Sequence, residues 1–348
     1  MKTGKFRIPS LGLAIATAAI LASSHQGLTQ SPFGILAKWS IGGSGGWDYL
    51  AVEPGTHRLF ITHGSRREVL DTTTGKSLGA ITGFKGLHGV AFDTAGKFGY
   101  ASDGGANEVV VFDRTNLAKV ASIPTGANPD GLLFEPKTQT VWAFNGRGKS
   151  ATVIDATKRS VVATIPLPGK PEFPAADGTG AVFVNIEDKN EIIRLDAATN
   201  KATATWPLAG CDSPSGLAID TSGHRLFSVC DGNKMIVTDS ATGKKLALPE
   251  IGEGPDATAY DAAHNLAFSS NGGGSLTIID ASKPNYPALQ TLPTAKGART
   301  MAFDPGNGHV YLVTGDFGPP PAATAQNPHP WPTVVPGSFR VLVVGRKE

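Results

Sequence analysis

The 348-residue sequence has little of what common cofactor and nucleotide sites require. It has only two cysteines, and neither lies in a Cys-x-x-Cys-His motif, which excludes covalent haem attached through that motif. It contains no phosphate-binding loop motif and no His-Glu-x-x-His motif. Its eight histidines, several of them at repeated turn positions, are too few for a multi-copper cluster. These classes of site are therefore not indicated by the sequence.

Charge of one sign is also scarce. Thirty-one Lys and Arg residues nearly balance 29 Asp and Glu residues, which gives a formal net charge of +2. The sequence has no block rich in Lys or Arg, so its charge does not support a nucleic-acid partner. Helical periodicity is likewise missing from the repeated segments, which leaves an all-β reading.

What the sequence does contain is an aspartate that recurs at a near-constant interval. The intervals are 42, 42, 41, 43 and 41 residues, and a period near 42 is typical of a repeat architecture. Each carboxylate stands at a strand end before a turn, so we expect a structural Asx turn rather than catalysis. The six residues are Asp71, Asp113, Asp155, Asp196, Asp239 and Asp280.

Each repeat reads as four short strands. In one copy they are Gly131–Phe134, Val141–Phe144, Ala151–Asp155 and Ser160–Ile165, each rich in β-branched or aromatic residues and bounded by turn residues. Four antiparallel strands in every period of about 42 residues are typical of a propeller blade. The sequence therefore predicts an all-β protein made of four-stranded antiparallel blades.

The innermost strands give the number of blades. They read YLAVE, GVAFD, GLLFE, PAAD, GLAID, ATAYD and TMAFD, which predicts a seven-bladed β-propeller. The last repeat is too short for a fourth strand after Ser338–Val344. The segment Leu36–Ile41 near the N-terminus has the pattern of that missing strand. We therefore expect the N-terminal strand to pair in the last blade and close the ring.

Particular segments resemble a known family. The third blade contains IPTGANPDGLLFEP, VWAFNG and ATVIDATKRSVVATIPLPG, and the seventh contains the pentapeptide Tyr311–Gly315. These segments resemble the YVTN-repeat β-propellers, including YncE-like exported proteins, over residues 36–348. Most copies depart from the Tyr-Val-Thr-Asn consensus, as in Phe60–His63. The resemblance implies the fold and leaves function open, because related propellers include binding proteins, enzyme subunits and lactonases.

Residues 1–30 are predicted to be a signal peptide. Three basic residues precede the apolar stretch Leu11–Ala22, and small residues offer cleavage near Ser24 or a few residues later. The alternative is an uncleaved anchor, but 12 residues are short for a bilayer span of about 20. We therefore expect a periplasmic or secreted protein, not integral to a membrane after cleavage, whose residues 31–348 form one monomeric propeller.

Export to an oxidising compartment would allow the two cysteines to form a disulfide. Cys211 precedes the inner strand of the fifth blade, and Cys230 ends the second strand of the same blade. Because these strands are antiparallel neighbours, a Cys211–Cys230 disulfide is geometrically reasonable in an oxidising compartment. The alternative is two unpaired cysteines in the core.

One position in each blade, five residues before the acidic end of the inner strand, is predicted to converge on the mouth of the channel. Its carboxylates and imidazole could bind a divalent metal, another cation or a small polar ligand. The alternative is that they cap the inner strands around a channel filled with water. The predicted ring is Asp48, His88, Asp130, Glu172, Ser215, Asp256 and Arg299.

A second tier is predicted at the ends of the second strands. Its residues follow the same repeat alignment, and they would add polar groups to the same face of the propeller. The tier consists of His63, Asp103, Asn145, Asn185, Asp231 and Asn271.

One insertion breaks the period. Asp280 and Gly345 are 65 residues apart, about 23 more than one blade, and the excess falls at residues 315–336. This segment contains seven prolines, so an extended conformation is expected. It leaves the fold on the face of the predicted ring, where it could form a lid with Trp331 as an apolar contact. A surface excursion without that role is the alternative.

The sequence favours a binding or scaffolding protein without catalysis, which engages an unknown protein or a small polar ligand at the channel face. A second hypothesis is a lactonase-like or metal-dependent hydrolase that uses the same residues, with His88 as the base and Asp130 or Glu172 orienting it. A third is a propeller subunit that docks an electron-transfer enzyme. No cofactor is firmly implied by the sequence. The carboxylates and the imidazole of the ring are residues that could bind a divalent metal at the channel mouth.

Overall fold

The structure is a computed structural model that describes residues 1, 4, 32–324 and 332–347. Residues 32–348 belong to one compact unit. The predicted signal peptide and Trp331 lie outside the described residues, so both remain predictions. In the part of the chain that is described, no helix is long and apolar enough to cross a lipid bilayer.

The strands of the described residues form seven separate four-stranded antiparallel sheets. Strand β1 spans Phe33–Ser40. Blade one contains β2 to β5, which span Trp47–Val52, Arg58–His63, Arg66–Asp71 and Ser77–Ile81. Blade two contains β6 to β9, which span Leu87–Phe92, Phe98–Asp103, Glu108–Asp113 and Lys119–Pro124. Blade three contains β10 to β13, which span Pro129–Glu135, Thr140–Asn145, Ser150–Asp155 and Ser160–Pro166.

The remaining blades follow the same plan. Blade four contains β14 to β17, which span Pro171–Ala176, Ala181–Ile186, Glu191–Asp196 and Lys201–Pro207, with a 3₁₀ turn at Glu187–Lys189. Blade five contains β18 to β21, which span Leu217–Asp220, Arg225–Cys230, Lys234–Asp239 and Lys245–Ala247. Blade six contains β22 to β25, which span Pro255–Asp261, Leu266–Asn271, Ser275–Asp280 and Ala288–Pro293. Blade seven contains β26 to β28, which span Met301–Asp304, His309–Thr314 and Arg340–Arg346, and is completed by β1.

The chain is a seven-bladed β-propeller, as the sequence predicts. Each inner strand contacts the inner strands of the two neighbouring blades, and β26 contacts β2, so the blades form a closed ring. Strand β1 pairs with β28 from Phe33 opposite Arg346 to Ser40 opposite Arg340, which confirms closure by the N-terminal strand. Gln290 of blade six also exchanges two hydrogen bonds with the Phe33 backbone, at 2.9 and 3.0 Å, and ties β1 to its neighbour.

The hydrophobic core is divided among the interfaces between blades. The described residues contain seven buried clusters, and each cluster combines side chains from two adjacent blades. A sheet buries both faces in this arrangement, which explains why the middle strands are buried almost throughout. Outer strands such as Ser160–Pro166 are largely exposed instead.

The repeated aspartates form turns between the third and fourth strands. Asp71 Oδ1 accepts hydrogen bonds from the backbone N–H groups of Thr73 and Thr74, at 3.0 and 2.7 Å, and Asp239 Oδ1 accepts the equivalent pair from Ala241 and Thr242. Hydrogen bonds to the threonine side chain and backbone lower the pKa of Asp71. These carboxylates hold turns, which is the structural role that the repetition predicts.

Cys211 and Cys230 are joined by a disulfide with a Cα–Cα distance of 5.3 Å. Both residues are buried. An antiparallel bridge between the neighbouring residues Asp212 and Asp231 brings the two segments together. The bond therefore ties the entry of blade five to the end of its second strand.

Replacing both cysteines by alanine is expected to lower the free energy of unfolding by about 3 kcal/mol, because the bond closes a loop of 19 residues and restricts the unfolded chain. Urea unfolding with and without a reducing agent measures the effect. Reductant should destabilise the wild-type chain by a similar amount and leave the Cys211→Ala/Cys230→Ala chain unchanged. A wild-type midpoint that does not respond to full reduction would contradict this account.

Candidate functional site

The ring residues lie where the inner strands begin. Asp48, His88, Asp130, Glu172 and Asp256 are each the second residue of an inner strand, while Ser215 and Arg299 lie just before β18 and β26. The pairing of inner and second strands is irregular at this point in five blades. An irregularity in strand pairing changes the direction of the side chain at that position. The side chains of the ring residues therefore point away from the interfaces between blades.

His88 is at the centre of the most closely spaced group in the ring. Its Nδ1 donates a hydrogen bond to Asp48 Oδ2 at 2.6 Å and lies 3.8 Å from Asp130 Oδ1. One ligand atom from each of Asp48, His88 and Asp130 lies within 4.8 Å of the other two. The Nε2 atom of His88 is 3.5 Å from the amide nitrogen of Asn128. All three cluster residues are half-buried, so the cluster is open to a small ligand.

Charge and burial act against each other on these groups. Burial opposes protonation of His88, but the hydrogen bond to Asp48 and the charge of Asp130 outweigh it and raise the pKa of His88. Burial raises the pKa of Asp130, and the charge of Asp48 adds to the rise against the lowering effect of His88. The Asp130 carboxylate is thus under-compensated, and a cation next to it would be stabilised.

Glu172 continues the acidic side of the mouth. Its Oε1 accepts a hydrogen bond from Lys170 Nζ at 2.6 Å, and the same ammonium group reaches Glu187 Oε2 at 2.5 Å. Burial together with the charge of Asp130 nevertheless raises the pKa of Glu172 well above its ordinary value. One lysine shared between two carboxylates does not compensate the acidic groups fully.

On the other side of the mouth, Asp256 accepts a charge-assisted hydrogen bond from Arg299 Nη1. Burial raises the pKa of Asp256, although the Arg299 charge opposes the rise. Asp256 therefore has its own cationic partner, whereas on the other side of the mouth His88 lies between Asp48 and Asp130 and Lys170 lies between Glu172 and Glu187.

Two aromatic side chains cross the channel. Tyr49 of blade one stacks on Phe173 of blade four, with ring centroids 4.3 Å apart, and these blades are not neighbours in the ring. The Tyr49 hydroxyl is buried and has no hydrogen-bond partner among the described residues. Burial and the charges of Asp130 and Glu172 raise the pKa of Tyr49. Its O–H group is therefore a free hydrogen-bond donor held close to the carboxylates.

Arg67 supports the His88 side of the ring from within blade one. It is fully buried, and its Nη2 donates to the backbone oxygens of His88 and Gly89, both at 2.8 Å. Burial lowers the pKa of Arg67 to about 9, while the charge of Asp48 opposes that shift. Arg67 thus fixes the backbone that carries His88 and adds a positive charge behind Asp48.

His63 does not join the ring. It is buried between blades one and seven, where its ring stacks on Phe339 at 3.9 Å and its Nδ1 lies 3.4 Å from Glu68 Oε1. The repeat alignment places His63 at the correct end of its strand, but the side chain packs into a blade interface. His63 is therefore a core residue with a buried Nε2 atom that has no partner among the described residues.

Most residues of the second tier form hydrogen bonds within the protein. Asp103 accepts hydrogen bonds from the backbone N–H groups of Lys85 and Gly86, and Asn145 and Asn185 are fully buried. Asn185 Nδ2 donates to the Ser215 backbone oxygen at 3.0 Å. Asp103 and Asn185 therefore bind backbone groups of neighbouring loops. Asn145 and Asn271 donate instead to Ser and Thr hydroxyls of their own blades, and Asp231 is exposed.

The ends of the 315–336 insertion pack beside the ring. Phe317 and Val334 form an isolated antiparallel bridge, and Phe317 contacts Trp47 with ring centroids 5.9 Å apart. Together with Asp256 and Arg299, they border a cavity of about 760 Å³. The insertion therefore reaches the channel face, while the predicted contact of Trp331 lies outside the described residues.

A nucleophile for hydrolysis is not apparent at the cluster. Residues 42–46 spell the pattern Gly-x-Ser-x-Gly, but Ser44 is exposed and the strand Trp47–Val52 follows it, where a nucleophile elbow has a helix. The sequence predicts Asp130 or Glu172 as the orienting partner of His88, but Asp48 makes the short hydrogen bond and Asp130 Oδ1 lies 3.8 Å from the same nitrogen. Asp48 follows β1 by only a few residues and belongs to the blade next to that of His88.

Comparisons with known proteins agree with the fold. Neither a protein-family model nor a curated protein sequence matches the chain. Among solved structures, Kuenenia stuttgartiensis hydrazine synthase matches with a TM-score of 0.69 and 16% identity over 77% of this chain and 92% of that chain. U3-55K matches with a TM-score of 0.70 and 11% identity over 89% and 98% of the two chains. The RRP9 WD40 repeats match with a TM-score of 0.71 and 12% identity over 90% and 99%.

The similarity shows the β-propeller fold alone. At these identities the functions of the neighbours do not transfer to this chain. The resemblance to YVTN-repeat propellers stays a prediction, because no family model matches.

Sequence reasoning missed Tyr49 and Arg67. Tyr49 is visible in the sequence as the residue after Asp48, but nothing local shows that it crosses the channel to Phe173. Arg67 is the second residue of the third strand of blade one, a position that is apolar in blades two to six, and this departure from the repeat is the available signal. A charged residue within a strand that is buried on both faces needs a specific partner, here the His88 backbone.

Replacing Asp48 by Asn is expected to lower the pKa of His88, since the burial of the ring stays while its charged hydrogen-bond partner is removed. An NMR titration of the His88 ring measures it, with Asp231→Asn as a control on an exposed carboxylate. In the wild-type chain the folded pKa is the higher one. His88 protonation therefore adds stability below the unfolded value of about 6.5, and this is lost as pH rises through the folded pKa. An unchanged His88 pKa in the variant would refute the role of Asp48.

Replacing Glu172 by Gln is expected to increase stability relative to wild type as pH rises. Because the folded pKa of Glu172 is raised, the folded state loses stability from the usual carboxyl range near about 4.3 up through that pKa, and glutamine does not titrate. Urea unfolding at about pH 5 and about pH 8 compares the two chains. Glu250→Gln is the control, because Lys234 lowers the pKa of Glu250. A difference between E172Q and wild type that does not change with pH would refute the prediction.

Proposed function

We propose that this propeller is a non-catalytic binding protein that holds a cation at its channel mouth. The observation that carries the proposal is the Asp48–His88–Asp130 cluster, which brings two carboxylates and one imidazole within 4.8 Å. Oxygen and nitrogen donors of this kind suit first-row divalent ions such as Zn²⁺ or Mn²⁺. The cluster residues come from three consecutive blades, so a bound ion would also tie those blades together.

The surroundings of the cluster support a positive ligand. The pKa of each of Asp130, Glu172 and Asp256 is raised, chiefly by burial, so each ionised carboxylate is short of favourable interactions. A divalent ion would supply that interaction and would favour release of protons from His88 and Asp130. The buried Tyr49 hydroxyl offers a hydrogen-bond donor to a water or carboxylate next to such an ion.

We place this protein outside the cytoplasm, in the periplasm or the secreted fraction, as a YncE-like propeller. The support is the basic and apolar pattern of residues 2–22 and the disulfide between Cys211 and Cys230, a bond that persists in oxidising compartments. A protein partner on the same face is compatible with the fold, because propellers of the WD40 type are among its structural neighbours.

A metal-dependent hydrolase is the second candidate function. The observation in its favour is the 2.6 Å hydrogen bond between His88 and Asp48, which would orient an imidazole as a general base. A bound ion could activate water next to that base. Hydrolysis of lactones or esters by the metal-loaded chain, lost in His88→Ala, would favour this candidate over a binding protein.

The test of the proposed function is metal binding by the purified chain from residue 31. Titration calorimetry with Zn²⁺ and Mn²⁺ is expected to give one strong site per chain. His88→Ala and Asp130→Asn should each weaken the affinity by about tenfold or more, because each removes a ligand. Asp231→Asn, a change of the same kind at an exposed position on the same face, should leave binding unchanged. Failure to bind either ion, or binding that survives both cluster substitutions, would overturn the proposal.

A further inference from the structure

A cavity of about 760 Å³ lies beside the ring and is distinct from the Asp48–His88–Asp130 cluster. Loops of blades six and seven, the start of β2 and both described ends of the insertion enclose it. Its volume is in the range of pockets that hold small organic ligands. Its principal side chains are Trp47, Asp256, Lys296, Arg299, Phe317 and Val334.

One side of the cavity is apolar and held in place. Trp47 donates its indole N–H to the Gly297 backbone oxygen at 3.2 Å, and it packs on Phe317 and Phe339 with centroid distances of 5.9 and 5.6 Å. Gly297 has a φ of 78°, and a Cβ atom there would lie 2.5 Å from the Phe317 ring. Only glycine permits this approach, so the aromatic wall is built into the fold.

The lining also carries hydrogen-bond donors. Arg299 gives one Nη1 hydrogen bond to Asp256, and its side chain is still 40% exposed. Lys296 is exposed and makes no ion pair within the described residues. Of the acidic residues, Asp256 is engaged by Arg299, and Glu253 lies on the exposed rim of the cavity. A guanidinium has five N–H donors and an ammonium has three. The Lys296 ammonium and the Arg299 N–H groups that Asp256 does not engage are therefore the donors that this cavity offers to a ligand.

We infer that this cavity binds a small organic anion that has an apolar, preferably aromatic, body and a carboxylate or similar group. The body packs on Trp47 and Phe317, and the anionic group accepts hydrogen bonds from Arg299 and Lys296. Charge-assisted hydrogen bonds at a partly buried guanidinium give such a ligand its orientation. This site has its own residues and does not depend on the proposed cation site.

Two probes of matched shape test the charge requirement. Titration calorimetry of the chain from residue 31 with 1-naphthoate is expected to detect binding, and 1-naphthylmethylammonium should bind about tenfold more weakly or worse, since its charge faces Arg299 and Lys296. Equal affinity for the two probes, or no naphthoate binding at millimolar concentration, would overturn the inference.

Three variants locate the site. Arg299→Gln and Phe317→Ala should each weaken naphthoate binding by about tenfold, with Lys296→Gln as the decisive substitution if Arg299→Gln does not fold. Lys85 occupies the equivalent position in the loop before His88, so Lys85→Gln is the matched control and should bind like wild type. Naphthoate affinity should also be unchanged in His88→Ala, which separates this site from the cation cluster. Full affinity in both Lys296→Gln and Phe317→Ala would refute the assignment.

Discussion

Burial of one aromatic side chain in the second strand of every blade is the constraint on which this structure depends. These rings are almost fully inaccessible to solvent, and each fills the interface to a neighbouring blade, where a fully buried ring of this size contributes roughly 1.5–3 kcal/mol. Because the rings occupy equivalent positions, they set a similar spacing at every interface, which allows seven similar sheets to close. The residues are Phe60, Tyr100, Trp142, Phe183, Phe227, Phe268 and Tyr311.

This packing explains why the polar residues that differ from blade to blade lie at the start of the inner strands. The side chains of the middle strands pack between blades. The turns are held by Asx hydrogen bonds, as at Asp71. The start of an inner strand faces the channel and is irregularly paired, so its side chain is free of both demands. Asp48, His88, Asp130 and Arg299 differ there because the blade does not dictate the residue, and the electrostatics of the mouth follow from those differences.

The sequence predicts the fold well and the site in part, for a physical reason. A repeated residue indicates an interaction that every blade makes, so the repeats predict the number of blades, the closure of the ring and the ring positions. The repeats do not predict contacts that occur at one pair of blades and not at the others. The Asp48–His88 hydrogen bond, the packing of His63 on Phe339 and the stacking of Tyr49 on Phe173 each join two blades through unique side chains. Such contacts depend on side-chain direction, which a repeat alignment leaves open.

The mouth of the channel has a carboxylate–imidazole cluster on one side and a cavity beside Arg299 on the other. The consecutive residues Trp47 and Asp48 belong to one side each. Asp48 belongs to the carboxylate–imidazole cluster, and Trp47 forms the wall of the cavity beside Arg299. The charge of Asp48 also contributes to the raised pKa of Arg299. Trp47 is held by its indole hydrogen bond to Gly297 and by packing on Phe317 and Phe339. The cavity and the cluster share no residue, so a substitution in one leaves the ligand contacts of the other in place.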